Sequence, residues 1–418
     1  MTDIEQHLSA LENRGLYRRM RLISGPQGAR VLLDGKPVLV MCSNNYLGLA
    51  DHPRVREAAA DAARRWGVGA SGSRLISGNM TVHRRLESRL AEFKGTEAAL
   101  LFGSGYMANT GIIPVLAKEG EVVFSDELNH ASIVDGCRLS RAETFIYDHG
   151  DVEHLAWGLR QKRGRASLIV TDSVFSMDGD IAPLEDIVRL AKDHDVRVMV
   201  DEAHATGTVG PEGRGAVATA GLTGEVDLIV GTLSKALGAY GAFAACDTQL
   251  ARYLVNTSRS FIYSTAPSPP VVAAAAEALE ILIEEPRRVR RLRQNAEFFR
   301  SELARRGFDV APTGSHIVPL ITGDPGSAVK MTERALERGV FAQAIRPPTV
   351  PDGESRLRLA VMASHKQDEL AGAAKVLAKA AVSVGFEPGR MPGEFGPPSQ
   401  QRGNGVYDED ADQLASVA

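Results

Sequence analysis

Cysteine is scarce. The 418 residues hold three, Cys42, Cys137 and Cys246, and no two of them form a CxxC pair. That argues against a disulfide framework and against a cysteine zinc site, and it suits a reducing compartment. A basic excess is also missing: 48 Lys and Arg face 52 Asp and Glu, for a formal net charge of −4. Neither nucleic acid nor an acidic membrane surface is implied as a partner. No apolar run approaches the length needed to cross a bilayer. The opening "MTDIEQHLSALENRGLYRRM" is polar and helix-like, without the apolar stretch of a signal peptide. The expectation is a soluble cytoplasmic protein. What is present is ordinary globular composition, 44% hydrophobic and 24% charged, in a chain long enough for a large core and two domains.

The segment from Glu387 to Ala418 differs in kind. It is rich in Pro, Gly and Gln, lacks an apolar period, and carries six acidic residues against Arg390 and Arg402. Its own charge equals that of the whole chain, and it reads as a disordered tail, residues 386–418. The middle of the chain alternates instead. "EVVFSD", "ETFIYD", "ASLIVTDS", "VRVMVDEA", "VDLIVGT" and "GAFAAC" read as strands, while "VHRRLESRLAEFKG" and "LEDIVRLAKDHD" read as amphipathic helices. Continuous apolar strands separated by helices imply an α/β fold whose mostly parallel sheet is covered on both faces. The pattern changes near Ser268, where one long helix is expected from Pro269 to Gly307, followed by short strands and helices. The expected division is a large domain over 51–268 and a smaller α+β C-terminal domain over 269–385. An N-terminal segment, 1–50, is expected to pack with the smaller one.

Ligands of open α/β sheets bind at the carboxyl ends of the strands. Five apolar runs here end in chemically able residues. "VRVMV" leads to Asp201 and His204, "SLIV" to Ser173, Ser176 and Asp178, and "DLIVG" to Thr232, Ser234 and Lys235. "AALLF" leads to "GSGYMAN", which contains Gly105 and Tyr106, and "EVVFSD" leads to "ELNHASI" with His130. Singly, each has a plain structural reading: an Asp at a strand end is often a helix N-cap, and a lone His is usually structural. "GSGYMAN" matches neither GxGxxG nor a Walker loop.

Lys235 is harder to dismiss. It is the one charged residue in "LIVGTLSKALGAYGAFAAC" (Leu228 to Cys246), a run suited to burial. Desolvating an ammonium is costly, and a desolvated lysine becomes a nucleophile for a carbonyl. Pyridoxal 5′-phosphate exploits such a lysine through a Schiff base, and its pyridine nitrogen needs an acidic partner. Asp201 supplies that charge. His204 is placed to reach the ring hydroxyl and His130 to stack on the ring. Gly105 and Tyr106 at a helix start, with Thr232, suit the phosphate.

The set "SNNYLGLADHP", "GASGSRLISGNMTVHRRLE", "FGSGYMAN", "DELNHASI", "SVFSMDGDIAPL", "VDEAHATGTVG", "TLSKALGAYGA", "FIYSTAPSP" and "RLRLAVMASH" resembles the α-oxoamine synthases. These are pyridoxal-phosphate enzymes of the fold-type I aminotransferase superfamily, and the likeness runs from about Leu16 to Val384. It implies that Lys235 carries the cofactor and moves the substrate α-proton, that Asp201 meets the pyridine nitrogen, and that His130 stacks. It further implies Ser176 and His204 near the ring oxygen and Gly105, Tyr106 and Thr232 on the phosphate. Arg358 would take the amino-acid carboxylate, with Asn45 beside it and Arg18 and Thr349 on the substrate side. "FIYST", ending in Thr265, would reach the phosphate of the neighbouring subunit, so a homodimer with shared sites is implied. "AIRPPTVPDGESRLRL" resembles members that join L-alanine to a pimeloyl thioester, on coenzyme A or on acyl carrier protein. Sister members taking glycine or serine, and a plain aminotransferase, are the alternatives. The chain departs from the common family pattern at Leu233 and at His365-Lys366.

Overall fold

The computed structural model describes residues 3–385; the expected tail over 386–418 lies outside the described residues. Seven strands form the central sheet: β1 (Ala98–Phe102), β2 (Val122–Asp126), β3 (Glu143–Tyr147), β4 (Ala166–Asp172), β5 (Arg197–Asp201), β6 (Leu228–Thr232) and β7 (Ala242–Cys246). Their spatial order is β1-β7-β6-β5-β4-β2-β3. β7 runs antiparallel to both its neighbours, and the other six share one direction. Five strand ends that carry polar residues, those of β1, β2, β4, β5 and β6, therefore emerge at one edge of the sheet.

The sheet is covered on both faces, and alternation sends successive side chains to opposite sides. Leu101, Phe124, Ile169, Val198, Val200, Ile229 and Phe243 enter one core. Leu100, Phe102, Val123, Leu168, Val170, Met199, Leu228 and Val230 enter the core on the other side. Burial of each such side chain contributes about 1.5–3 kcal/mol. The helices Thr81–Lys94 and Leu184–His194 occupy the expected segments and bury the apolar face their period predicts. Gly231 in β6 is needed for fit, because a Cβ there would collide with the Phe243 ring on β7.

The long helix expected over 269–307 is two helices, Pro269–Glu284 and Arg287–Ala304. Pro286 explains the break. It has no N–H to donate, and its ring pushes the preceding Glu285 out of helical geometry, to φ −121° and ψ 59°. The first of the two packs into the large core through Val272, Ala275, Leu279 and Leu282. The second spans both cores: Val289 and Leu292 face the large one, and Ala296, Phe299 and Leu303 face the smaller. From this packing we place the domain boundary within Arg287–Ala304 rather than at 268/269.

The smaller unit centres on a three-stranded antiparallel sheet, with Ser355–Ala360 between Ile317–Gly323 and Gln343–Ile345. A second small sheet joins the N-terminal strands Ile23–Ser24, Arg30–Leu33 and Lys36–Val40 to Val340–Phe341. Leu39 and Met41 pack in the smaller core, whereas Tyr46, Leu47 and Leu49 pack in the large one. The "SNNYLG" stretch thus passes from one unit to the other, and the candidate site sits at that passage.

Candidate active site

Lys235 lies just past β6, partly buried, with its Nζ 2.7 Å from His204 Nε2. Burial pulls the amine down to a pKa of about 8, against the carboxylates of Asp201 and Asp172, which favour its charge; Arg358 adds to the lowering. Asp201 closes β5. Its Oδ2 accepts from Asn109 Nδ2 at 2.8 Å, its Oδ1 from the Ala203 N–H at 2.8 Å, and the residue is buried. Asp172 closes β4, the next strand. Burial and the nearby Asp201 charge push its carboxyl well above the usual range, and it accepts the His130 N–H at 2.7 Å.

His130 caps the helix Ala131–Ser140 through Nδ1, which sits 2.7 Å from Ser132 Oγ. Desolvation of the imidazole lowers its pKa, opposed by the Asp201 charge and assisted by that of Lys235. Asp201, Lys235 and His130 therefore share one field. Gly105 opens the helix Gly105–Leu116, capped by Ser104 Oγ on the Met107 N–H at 3.2 Å. A Cβ built at Gly105 would meet nothing within 4 Å, so there is open space beside the start of this helix. Tyr106 is half-exposed and its hydroxyl donates to Asp135. Thr232 is buried with its Oγ1 2.7 Å from Ser234 Oγ.

Arg358 enters from the small unit's central strand and is buried. Its Nε donates to the Ser176 carbonyl, its Nη1 to Asn44 Oδ1 at 3.1 Å and its Nη2 to Tyr46 Oη at 3.2 Å. All three acceptors are neutral. The neighbouring Arg356, by contrast, is paired with Asp178 and Glu354.

The other expected positions behave differently from one another. Ser176 meets Arg358 through its carbonyl. Asn45 is buried; its Oδ1 accepts the Ala50 N–H at 3.2 Å and its Nδ2 has no partner, while the preceding Asn44 is the one that meets Arg358. Arg18 is exposed and within the field of Arg346. Thr349 is exposed in the turn closed by its N–H on the Arg346 carbonyl at 3.1 Å. Thr265 is exposed and bridges to Ser73. The last three are not bonded to the Lys235 cluster in the single chain.

Sequence reasoning assigned no role to four residues that the fold brings in. Tyr46 is fully buried, its Oη 2.7 Å from His204 Nδ1. His316 packs edge-on against the Tyr46 ring, centroids 3.9 Å apart. Asn109 holds Asp201, and Asp172 holds the His130 backbone. Tyr46 and Asn109 lie inside the motifs quoted above, which was the only signal available.

The aminotransferase class I and II family matches residues 36–377. The chain belongs to that family. An 8-amino-7-oxononanoate synthase from Citrifermentans bemidjiense is 49% identical over 389 residues, covering 92% of this chain and all of the relative. One from Geobacter sulfurreducens is 48% identical over 387 residues, covering 92% and 99%. Among solved structures, a serine palmitoyltransferase from S. paucimobilis with a bound PLP–myriocin aldimine superposes with a TM-score of 0.87 at 33% identity, covering 92% of this chain and 98% of that one. An 8-amino-7-oxononanoate synthase from Francisella tularensis gives a TM-score of 0.72 at 26% identity, covering 83% and 98%. The α-oxoamine synthase resemblance of the motifs, and the fold-type I architecture it implied, both stand.

The residues present fit pyridoxal phosphate. A depressed amine, a buried carboxylate on the adjacent strand, a histidine within the field of both and a helix N-terminus are gathered at one sheet edge. The unpartnered buried Asn45 Nδ2 and Asn109 Oδ1 add polar atoms still free to bond.

Proposed function

We propose that this chain is a pyridoxal-phosphate-dependent acyltransferase that condenses L-alanine with a pimeloyl thioester, giving 8-amino-7-oxononanoate, CO₂ and a free thiol in biotin biosynthesis. The observation that carries this reading is the pairing of Lys235, an amine held near pKa 8, with Asp201 on the neighbouring strand. When bound, the cofactor supplies an electron sink for charge left on the amino acid's α-carbon. Lys235 would hold it covalently and, as a free amine, would take the α-proton. Asp201, fixed by Asn109, would keep the ring nitrogen protonated. His130 would cover the ring face. The Gly105 and Tyr106 N–H groups and Thr232 would hold the phosphate. Arg358 faces only neutral acceptors, and a substrate carboxylate supplies the missing anion through a bidentate contact.

The 46–49% identity to proteins named 8-amino-7-oxononanoate synthase favours alanine and a pimeloyl chain over the serine and palmitoyl pairing named for the structural neighbour. Either coenzyme A or acyl carrier protein serves as the thiol. The exposed Thr265 supports a homodimer in which each copy completes the other's phosphate site. The three free cysteines, and the lack of any helix long and apolar enough to cross a membrane among the described residues, accord with a cytoplasmic setting. The test is a thiol-release assay with alanine, glycine and serine against short, pimeloyl and long acyl thioesters. Alanine with pimeloyl should exceed every other pairing. Preference for serine with a long chain, or pyruvate formed from alanine without an acyl donor, would overturn the reading.

A further inference from the structure

Donor and acceptor chemistry fixes the direction of every hydrogen bond between Arg358 and Lys235. A guanidinium only donates. Its Nη1, 3.1 Å from Asn44, therefore forces the amide oxygen rather than the NH₂ to face it. That same oxygen lies 2.8 Å from Tyr46 Oη. Two oxygens at that distance need a proton between them, and Asn44 Oδ1 has none, so the tyrosine donates. Tyr46 Oη has then used its single proton. It accepts from Arg358 Nη2 at 3.2 Å, and its remaining contact, to His204 Nδ1 at 2.7 Å, must also be accepted. The imidazole proton consequently sits on Nδ1. Nε2 is left as a lone pair 2.7 Å from Lys235 Nζ, which supplies the N–H.

The alternative wiring fails at one contact. If Tyr46 donated to His204 Nδ1, the Tyr46–Asn44 pair would face each other without a proton. Flipping the amide to repair that would set its NH₂ against Arg358. The chain is enclosed: Tyr46 is fully buried, His204 is buried, and His316 pins the tyrosine ring from the side. Burial, then the Lys235 and Arg358 charges, with His316 and His130 also contributing, hold the His204 ring neutral, so only the choice of tautomer remains open.

We propose that Tyr46, oriented by Asn44 and Arg358, is a positioning residue that locks His204 in the Nδ1–H tautomer and so presents an acceptor at Nε2 to the Lys235 amine. It rests on the reading that Lys235 and Arg358 serve one site. The residue that receives the substrate carboxylate is thereby wired, through three side chains, to the residue that moves the α-proton. In sequence the links are far apart: 158 residues separate Tyr46 from His204, and 312 separate Tyr46 from Arg358.

The test is ¹⁵N NMR of the full-length chain with labelled histidine, recorded with cofactor bound and after its removal, with His204 assigned by a His204→Gln variant. The expected result is a protonated, pyrrole-type Nδ1 in both forms. In the cofactor-bound form, where Lys235 no longer offers an ammonium to Nε2, Tyr46→Phe should reduce that bias, and Asn44→Asp, which keeps an acceptor, should preserve it. In turnover, Tyr46→Phe should lower kcat about tenfold with KM for alanine nearly unchanged. A pyridine-type Nδ1 in the wild-type protein would overturn the proposal, as would an unaltered His204 spectrum in cofactor-bound Tyr46→Phe. The wild-type spectrum decides even if a variant fails to fold. It does not depend on the substrate assignment, which the thiol-release assay tests separately.

Discussion

Burial sets the reactivity of Lys235. It lowers the amine to a pKa of about 8, and the Asp201 and Asp172 carboxylates limit the drop. Below that pH the amine is protonated and cannot take a proton; above it the free base is present. Labelling of Lys235 by an amine reagent in cofactor-free protein should therefore rise through about pH 8, whereas an ordinary lysine titrates near ~10.4. An inflection only at the higher value would contradict the site's electrostatics. Lys235→Ala should reduce turnover by more than about 100-fold with circular dichroism unchanged, because both the proposed anchor and the proposed base are lost. In Asp201→Asn the cofactor should dissociate more readily, measured by dialysis of its absorbance. Lys235 and Asp201 were legible in the sequence because a charge inside an apolar run, or just after one, stands out locally. Tyr46 was not, because its role exists only once His204 and Arg358 are brought to it.

Between elements, a buried and a partly buried ionic contact tie the strand ends to their surroundings. Lys94 at the end of the Thr81–Lys94 helix pairs with Glu202, one residue past β5, and donates to Thr206 Oγ1 at 3.2 Å. Glu202 also accepts the Val217 N–H at 2.8 Å. Removing the cation strands a buried carboxylate, so Lys94→Met should cost about 3–5 kcal/mol in denaturant unfolding and loosen Asp201 next door. Gly215 sits at φ +108° with no room for a Cβ beside the Glu202 carboxylate, and Gly215→Ala should act in the same direction. His149 bridges Asp126 at the end of β2 and Asp180 in the loop after β4, 2.9 Å from each. Burial pulls its pKa down, but the two carboxylates outweigh this and raise it to about 10. A raised folded-state value means the bridge stabilises fully below the unfolded value near ~6.5 and is lost as pH rises through about 10. His149→Gln should therefore lower Tm at pH 6 and have little effect near pH 10.5; equal losses at both would refute the charged bridge. The strands themselves were readable as continuous apolar runs. The helix break was not read: Pro286 marks it, but the apolar period running across 269–307 conceals it.

At the scale of the whole molecule, the fold gathers what the chain scatters. Five parallel strand ends gather at one edge of the sheet, and Arg358 arrives from the other unit across the "SNNYLG" passage. The motifs foretold the first grouping, because strand ends of a parallel sheet share an edge by topology. They could not foretell the second, since no local pattern says that Asn44 rather than Asn45 will face Arg358, or that Arg18 and Thr349 will stand apart in the single chain. Sharing of sites between two copies is testable by mixing: Lys235→Ala and Thr265→Arg proteins, each impaired, should regain activity when refolded together, because each mixed dimer contains one intact site. No recovery would place Thr265 outside the partner's site. The most direct measurement of the central claim is borohydride reduction of the purified protein followed by peptide mass spectrometry. The account predicts a phosphopyridoxyl group on Lys235 and on no other lysine; an unmodified Lys235 in protein that binds the cofactor would contradict it.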